Sequence, residues 1–513
     1  MDDIEICPFN SDTSNQICHR SCTYKHKCYS LIKGTYYGIS DDERMTAITR
    51  NYSYEDIRKI VIDDDIKQNL LEYQHIHVRS LVYALQHNKT AFDLSDTGTG
   101  KTYTTIAISR ILGLKLFVVC PKSIITCWDR IATMFGSTEH IIVNYETFKL
   151  GKYYKVDQDN TLTESLIEGK RIKCPYIKRF TSPDKKDISF EWNLPSDYLI
   201  VFDEAHSCKN KKSQNGALIK GLKHIPNERL LLSATIVDKP DEFKTFADIS
   251  DIKFPDNPRL ESNQIFQAVF PNFGSRMKIK ELDGVFPDNQ ISADSYYMGR
   301  DTTTEINKLY QHLEKIIDDY HKKAISSSCY LVELLRFRQK LETLKIPTLV
   351  RLINSYLRNG KSIVVFVNFK ETLHQLATEF STKSVVHGGQ TIEDRELIIR
   401  DFQNDNTNLI ICNIQAGGQS ISLHDTLGNH QRVSIICPTW SAIKLIQALG
   451  RIHRAGSKSP ALQRIIYCSN TIEEQLCRTI KTKLDDISQI NDGDLEAFDI
   501  KGLPTDEVKD SKT

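Results

Sequence analysis

The chain has 513 residues, more than one hydrophobic core usually supports, so two or three domains are expected. Its 67 basic and 66 acidic side chains nearly cancel, which excludes a histone-like binder coating DNA through net charge but leaves room for a local basic track. No apolar run reaches the roughly 18 residues that span a bilayer, and the start, MDDIEICPFN, has no signal-peptide character, so a soluble, intracellular protein is expected.

In chain order, the first feature is a cluster of Cys7, Cys18, Cys22 and Cys28, with His19 and His26 among them. Thiolate and imidazole ligands of this number can close a tetrahedral zinc site and stabilise a segment too short for its own core. Reduced, unliganded thiols are the alternative, because the spacing matches no C-x-x-C pair. An iron–sulfur cluster held by the same thiolates is a further alternative. Residues 1–30 are read as this Cys-rich segment and 31–66 as a linker.

Short apolar runs follow, each trailed by turn residues and then helix-like sequence: LFVVC at 116–120, YLIVF at 198–202 and RLLLS at 229–233. The pattern returns as SIVVFV at 362–367, LIICN at 409–413 and RVSIIC at 432–437. Continuous runs of this length between amphipathic segments indicate strands buried on both faces, hence parallel sheets with crossover helices. Two α/β lobes are expected, over 67–250 and 346–485. Between them, 251–345 turns helical (TEINKLYQHLEKIIDDYHKKA, LVELLRFRQKLETL) and reads as a helical linker or protrusion. Within the first lobe, 149–195 is a polar insert rich in Lys and Tyr, either solvated or a nucleic-acid contact. Residues 486–513 read as a disordered, acidic tail. Cys120, Cys412, Cys437 and Cys468 sit in the apolar runs as small buried thiols.

Chemistry concentrates at two places in the first lobe. In AFDLSDTGTGKTYTTIAISRIL, Gly98, Thr99, Gly100, Lys101 and Thr102 supply a glycine-rich turn, a lysine and a hydroxyl at the mouth of a helix, with Ser95 where the usual loop begins with glycine. Backbone N–H groups there can hold the β- and γ-phosphates of ATP, with Lys101 adding a point charge and Thr102 a magnesium ligand. The run YLIVF ends in Asp203-Glu204-Ala205-His206. Two adjacent carboxylates at the end of an apolar strand are costly unless they face a cation or a reacting water, so Asp203 fits the magnesium side and Glu204 the general base. In the second lobe, Gln447-Ala-Leu-Gly-Arg451-Ile-His-Arg454 places two guanidinium groups three residues apart on what reads as one helical face, positioned to stabilise phosphoryl charge.

With these residues in order, the chain from about 70 to 480 resembles the superfamily 2 helicases, and more narrowly the Swi/Snf-type DNA translocases. That resemblance implies two RecA-like lobes. Leu70-x-x-Tyr73-Gln74 resembles the adenine-reading motif, which makes Gln74 the base contact and Gln447 a second nucleotide-site residue. VVCPKSIITCW at 118–128 implies backbone binding by Pro121, Lys122 and Ser123, and NYETF at 144–148 a strand contact by Tyr145. DEAHSCKNKKS carries the family's Lys209-Asn210 extension. AGGQSISL at 416–423 resembles the glycine motif that links nucleic acid to the ATP site through Gly417 and Gly418. CPTWSAIKLIQALGRIHRAG at 437–456 and NTIEE at 470–474 extend the match. Departures are Ser233-Ala234-Thr235, where Swi/Snf-type proteins usually carry Gly-Thr-Pro, Ile414 for a DNA-contacting threonine, and Ser420 for a glycine. A divergent helicase of a large DNA virus fits this mixture.

The leading expectation is an ATP-dependent translocase on double-stranded DNA; its rivals are a strand-separating helicase on DNA or RNA and a non-enzymatic scaffold on a dead ATPase fold. Intact Lys101, Asp203, Glu204, Arg451 and Arg454 speak against the scaffold, which has no chemical need for them. A zinc site predicts close to one equivalent of the metal in protein purified under reducing conditions, removed by Cys18→Ser with Cys22→Ser. Less than about a tenth of an equivalent by elemental analysis selects the free-thiol reading.

Overall fold

The computed structural model describes residues 54–492 apart from 138, 155–170, 184–186, 255–258, 271, 280–281, 283–285, 297–298, 418–420, 440 and 470–471. Cys7, Cys18, Cys22 and Cys28 therefore lie outside the described residues. The chain divides into two compact units, one of 1–283 with 486–495 and the other of 284–485 with 496–513.

In the first unit, strands β1 (Thr90–Asp93), β2 (Lys115–Cys120) and β3 (His140–Asn144) are followed by two antiparallel hairpins. The hairpins are β4 (Lys152–Tyr154) with β5 (Arg171–Lys173), and β6 (Ile177–Thr181) with β7 (Ile188–Trp192). β8 (Tyr198–Asp203), β9 (Arg229–Leu232) and β10 (Gly274–Ser275) then complete a parallel six-stranded sheet, in the order β10-β1-β9-β8-β2-β3. Alternate residues of the apolar runs point to opposite faces, as the period of two requires. Phe117, Val119, Ile200 and Phe202 join one buried cluster; Leu116, Val118, Leu199 and Val201 join the other. Both faces are covered, which is why these strands carry no polar alternation. The Lys- and Tyr-rich insert is anchored by its apolar residues: Phe190 and Trp192 enter the first cluster, and Trp192 Nε1 donates to the Leu218 carbonyl at 3.0 Å.

The second unit holds another parallel six-stranded sheet. Its strands are β11 (Asn289–Tyr296), β12 (Ser362–Val367), β13 (Val385–Val386), β14 (Leu409–Asn413), β15 (Arg432–Ile436) and β16 (Ala461–Cys468), in the order β11-β16-β15-β12-β14-β13. This is the expected α/β architecture of two RecA-like, parallel-sheet lobes. Cys120, Cys412, Cys437 and Cys468 are buried thiols, and burial pushes Cys412 up to about 12.

The structure divides the stretch 251–345. Helix Ser262–Val269 and β10 finish the first unit, β11 opens the second sheet, and the helices Arg300–His321 and Ser327–Leu344 pack together through Ile306, Leu313, Phe337 and Leu341. Polar ties hold this helical pair to the second lobe. Glu342, 3% exposed, accepts from the backbone N–H groups of Asn368 and Phe369. Lys345 Nζ pairs with Glu473 Oε1 at 2.5 Å, both side chains being buried, and Glu473 Oε2 accepts from Cys468 N at 2.9 Å. Removing one partner of such a pair strands a buried charge, so Lys345→Ala should cost about 3–5 kcal/mol of stability. Chemical denaturation is the check, and a loss under about 1 kcal/mol would mean that the pair is effectively solvated.

Candidate active site

The parallel sheet of the first unit sends its strand ends to one edge, where the glycine loop 98–102 and the Asp203-Glu204 pair lie. Beyond β1, Gly98 and Gly100 take φ of 95° and 93°, a left-handed conformation open to glycine at little steric cost. Successive N–H groups in such a turn form an anion-binding concavity. Gly100 caps the helix Lys101–Leu112, so the helix's unpaired N–H groups face the same place. Lys101 Nζ donates to the carbonyls of Ser95 at 2.8 Å and Asp96 at 3.0 Å, lying across the loop it serves. Burial pushes the Lys101 ammonium below its ordinary value, against the pull of Asp93, Glu204, Asp203 and Asp96. Thr102 follows in the first turn, half-buried.

A clasp holds the loop from behind. Thr99 is buried, and its carbonyl accepts from Gln74 Nε2 at 2.8 Å and from the Tyr73 hydroxyl at 3.1 Å. Gln74 Oε1 accepts in turn from Leu71 N at 2.8 Å, so both ends of its amide are engaged. Reading a base therefore requires Gln74 to exchange at least one of these bonds. Sequence reasoning missed the layer beneath. Asp93, at the end of β1, is fully buried and lies 3.1 Å from His77 Nε2, while its Oδ1 accepts from Ser95 N at 3.0 Å. Burial alone would raise the Asp93 carboxyl, but His77, Lys101 and the Ser95 side chain together bring it down to about 2. A carboxylate closing an apolar strand ahead of a glycine loop was the available signal.

Across the edge, β8 delivers Asp203 and Glu204. Burial and the Glu204 carboxylate push Asp203 up to about 6, while the Trp128 indole, Lys101 and the Glu204 N–H pull the other way. Trp128 Nε1 donates to Asp203 Oδ2 at 2.9 Å and Glu204 N to Oδ1 at 2.9 Å. Glu204 has φ of 55°, uncommon for a residue with a side chain and costly enough to mark a functional position. Its Oε2 lies 3.2 Å from His206 Nδ1, which also lies 3.3 Å from Ser233 Oγ in the Ser-Ala-Thr turn after β9.

The expected strand contacts divide. Lys122 is exposed on the turn Lys122–Ile124 after β2, with Pro121 buried and Ser123 half-buried beside it. Tyr145 is not a surface group: it is 3% exposed, and its hydroxyl donates to the Asp203 carbonyl at 2.8 Å. Its ring packs against Phe202, because the chain re-enters the core directly after β3. In the second unit, Gly417 ends the short helix Ile414–Gly417 and Gly418 lies outside the described residues. Arg451 and Arg454 do not share a helix, since the helix Ala442–Leu449 stops at Gly450. Glycine is a poor helix former, and both guanidinium groups cap nearby carbonyls instead. Arg451, 2% exposed, donates to Gln447 O at 2.8 Å and Ile421 O at 3.2 Å. Arg454, half-buried, donates to Gly450 O at 3.0 Å and Ser422 Oγ at 2.6 Å. Gln447 is buried in the same turn region.

A Cβ built on Gly100 runs into the Gln74 amide. Gly100→Ala must therefore break the Gln74 clasp as well as hold a left-handed φ, which costs roughly 1–2 kcal/mol by itself. A loss of at least that size is expected in urea unfolding, and an unchanged midpoint would show that the loop rearranges freely.

Two family models match the chain: the type III restriction enzyme res subunit over residues 67–238 and the helicase conserved C-terminal domain over 344–456. A protein of Acanthamoeba polyphaga mimivirus named as an ATP-dependent RNA helicase is 34% identical over 475 residues, covering 85% of this chain and 86% of its own length. An uncharacterized ATP-dependent helicase of Mycoplasma pneumoniae is 22% identical, covering 84% of this chain and 43% of its own length. A CHD3-type chromatin-remodeling factor of Arabidopsis thaliana is 20% identical, covering 80% and 36%. The glycine loop, the strand-end carboxylates and a full-length relative at this identity agree: the chain belongs to the superfamily 2 helicases, the ATP-dependent helicase family.

Proposed function

We propose that this helicase-family ATPase is a translocase on duplex DNA, with ATP hydrolysed at the β1 and β8 strand ends. The observation that carries the ATP site is the convergence of the glycine loop and the Asp203-Glu204 pair on one sheet edge, where both carboxylates support the Lys101 ammonium against burial and Lys101 draws Asp203 down. In this reading the N–H groups of Gly98, Thr99 and Gly100 cradle phosphate oxygens, and Lys101 exchanges the Ser95 and Asp96 carbonyls for them. Thr102 and Asp203 are suited to hold magnesium, which when bound neutralises charge on the β- and γ-phosphates. An Asp203 carboxylate destabilised by burial gains most from a cation. Glu204 orients the attacking water and takes its proton. Gln74 adds a nucleotide contact in the first unit, and Gln447, Arg451 and Arg454 keep in the second unit the nucleotide and phosphoryl roles that the resemblance implies. Pro121, Lys122, Ser123, Gly417 and Gly418 hold the nucleic-acid backbone, with Tyr145 acting from within the core by fixing Asp203.

Duplex DNA is favoured as the track by the likeness of 118–128 and 437–456 to Swi/Snf-type translocases and by the chromatin-remodeling relative. The second reading, a strand-separating RNA helicase, is favoured by Ser233-Ala234-Thr235 and by the name of the mimivirus relative. Cys7, Cys18, Cys22 and Cys28 are candidate zinc ligands, with reduced, unliganded thiols as the alternative.

Glu204→Gln should bind ATP and lose turnover by a factor on the order of a hundred or more, the size of a general-base contribution. Turnover near the wild-type value would sink the assignment. Side-by-side ATPase assays should show blunt duplex DNA stimulating at least as well as single strands or RNA, with displacement of a triplex-forming strand. Stimulation by RNA with none by blunt duplex selects the helicase instead.

A further inference from the structure

No sequence motif marked the run Gly274 to Ile279, yet it is the segment that holds the rising arm of the glycine loop. β10 pairs in parallel with β1, setting Phe92 against Gly274 and Asp93 against Ser275. The ladder then continues past the strand and into the loop. Leu94 N donates to Ser275 O at 3.0 Å and Asp96 N to Met277 O at 3.0 Å. In return, Met277 N donates to Ser95 Oγ at 3.0 Å and Ile279 N to Asp96 Oδ2 at 2.9 Å. The hydroxyl that stands where the usual loop begins with glycine thus has a structural use. Ser275 Oγ lies 2.8 Å from His77 Nδ1, which joins the run to the buried His77 and Asp93 pair.

Arg276 is the centre of this buttress. It is 1% exposed; Nη1 donates to the Leu94 carbonyl and Nη2 pairs with Asp96 Oδ1 at 2.8 Å. A guanidinium is costly to bury and persists only where charge and hydrogen-bond geometry compensate it. Leu94 and Asp96 both belong to the arm of the glycine loop. The carbonyl of Asp96, whose side chain Arg276 holds, is one of the two on which Lys101 rests. Fixing Leu94 to Asp96 therefore fixes where the N–H groups of the following turn and the Lys101 ammonium start from. Order established before nucleotide arrives need not be acquired on binding, and preorganisation of this kind appears as affinity.

We propose that Arg276, acting through Asp96, is a positioning residue for the phosphate loop and so for ATP binding. The proposal rests on the ATP-site reading. Its test uses the full-length chain, a fluorescent ATP analogue and steady-state ATPase on the wild type, Arg276→Gln, Asp96→Asn and the double variant. Asp96 is partly exposed, so Asp96→Asn keeps the test available if the arginine variant folds poorly. Each single variant should weaken nucleotide binding and raise KM by about 10- to 100-fold, the range that small misplacements of binding groups produce, with kcat at saturation changed far less. Because both act through one contact, the double variant should be no more than about two-fold worse than the poorer single. Losses that multiply, or a lowered melting temperature with unchanged KM in the folded protein, would overturn the positioning role. Wild-type protein that binds no analogue removes the ATP-site reading too, whereas equal affinity in wild type and both single variants removes this inference alone.

Discussion

Parallel strand order is the constraint on which the active edge depends. In a parallel sheet every strand delivers its C-terminal end to the same side, where ligands of open α/β sheets bind. β1, β9 and β8 are neighbours, and their register sets Asp93 and Asp203 in one row with Leu232 between them. Two strand spacings, about 10 Å, separate the two aspartates. The glycine loop leaves from one, Glu204 follows the other, and Ser233 leaves from the strand between. An antiparallel pairing anywhere in this trio would send one of the groups to the opposite edge. The apolar interior of β1, β8 and β9, which contributes no chemistry, is what keeps the row aligned.

Within that row the two buried aspartates behave oppositely, and their neighbours explain why. Burial raises both carboxyl groups. At Asp93 the effect is overcome by His77, by Lys101 and by the Ser95 side chain, and the group is drawn down to about 2. At Asp203 the adjacent Glu204 adds to burial, and the Trp128 and Glu204 N–H donors do not offset both, leaving it at about 6. Carboxylates whose environments push their ionisation apart take different roles. Asp93 already has its compensation and acts as an internal anion beneath the loop. Asp203 lacks it, which supports a cation as its missing partner.

Apolar runs were enough to read two parallel-sheet lobes, because a doubly covered strand announces itself without partners. The glycine loop and the strand-end carboxylates were legible for a related reason: their chemistry is local in sequence. Side-chain direction was not. Tyr145 sits in a run that resembles a strand-contacting element, but the turn after β3 aims it inward at Asp203. Arg451 was placed on a helix that Gly450 ends, and its capping of Gln447 becomes visible only once that end is known. Arg276 was hidden most completely. Its stretch, GSRMKIK, falls inside the segment 251–345 read as a helical linker, yet Arg276 and Lys278 are each 1% exposed. Their burial follows from β10 joining the sheet beside β1, a pairing across more than 180 residues that no local pattern encodes.

One nitrogen of the first unit lies between Glu204 and the turn after β9. His206 Nδ1 lies 3.2 Å from Glu204 Oε2 and 3.3 Å from Ser233 Oγ, so a single site faces both Glu204 and the Ser-Ala-Thr turn. At these lengths neither contact is a short, strong bond, and one nitrogen cannot serve both oxygens at full strength. The Ser233 hydroxyl has another partner: it donates to Thr235 O at 2.8 Å and accepts from Thr235 N at 3.2 Å, which closes the turn on itself. Gly-Thr-Pro at these positions would have threonine in place of Ala234 and no hydroxyl at residue 233, so the Ser233 contact could not form in the same way.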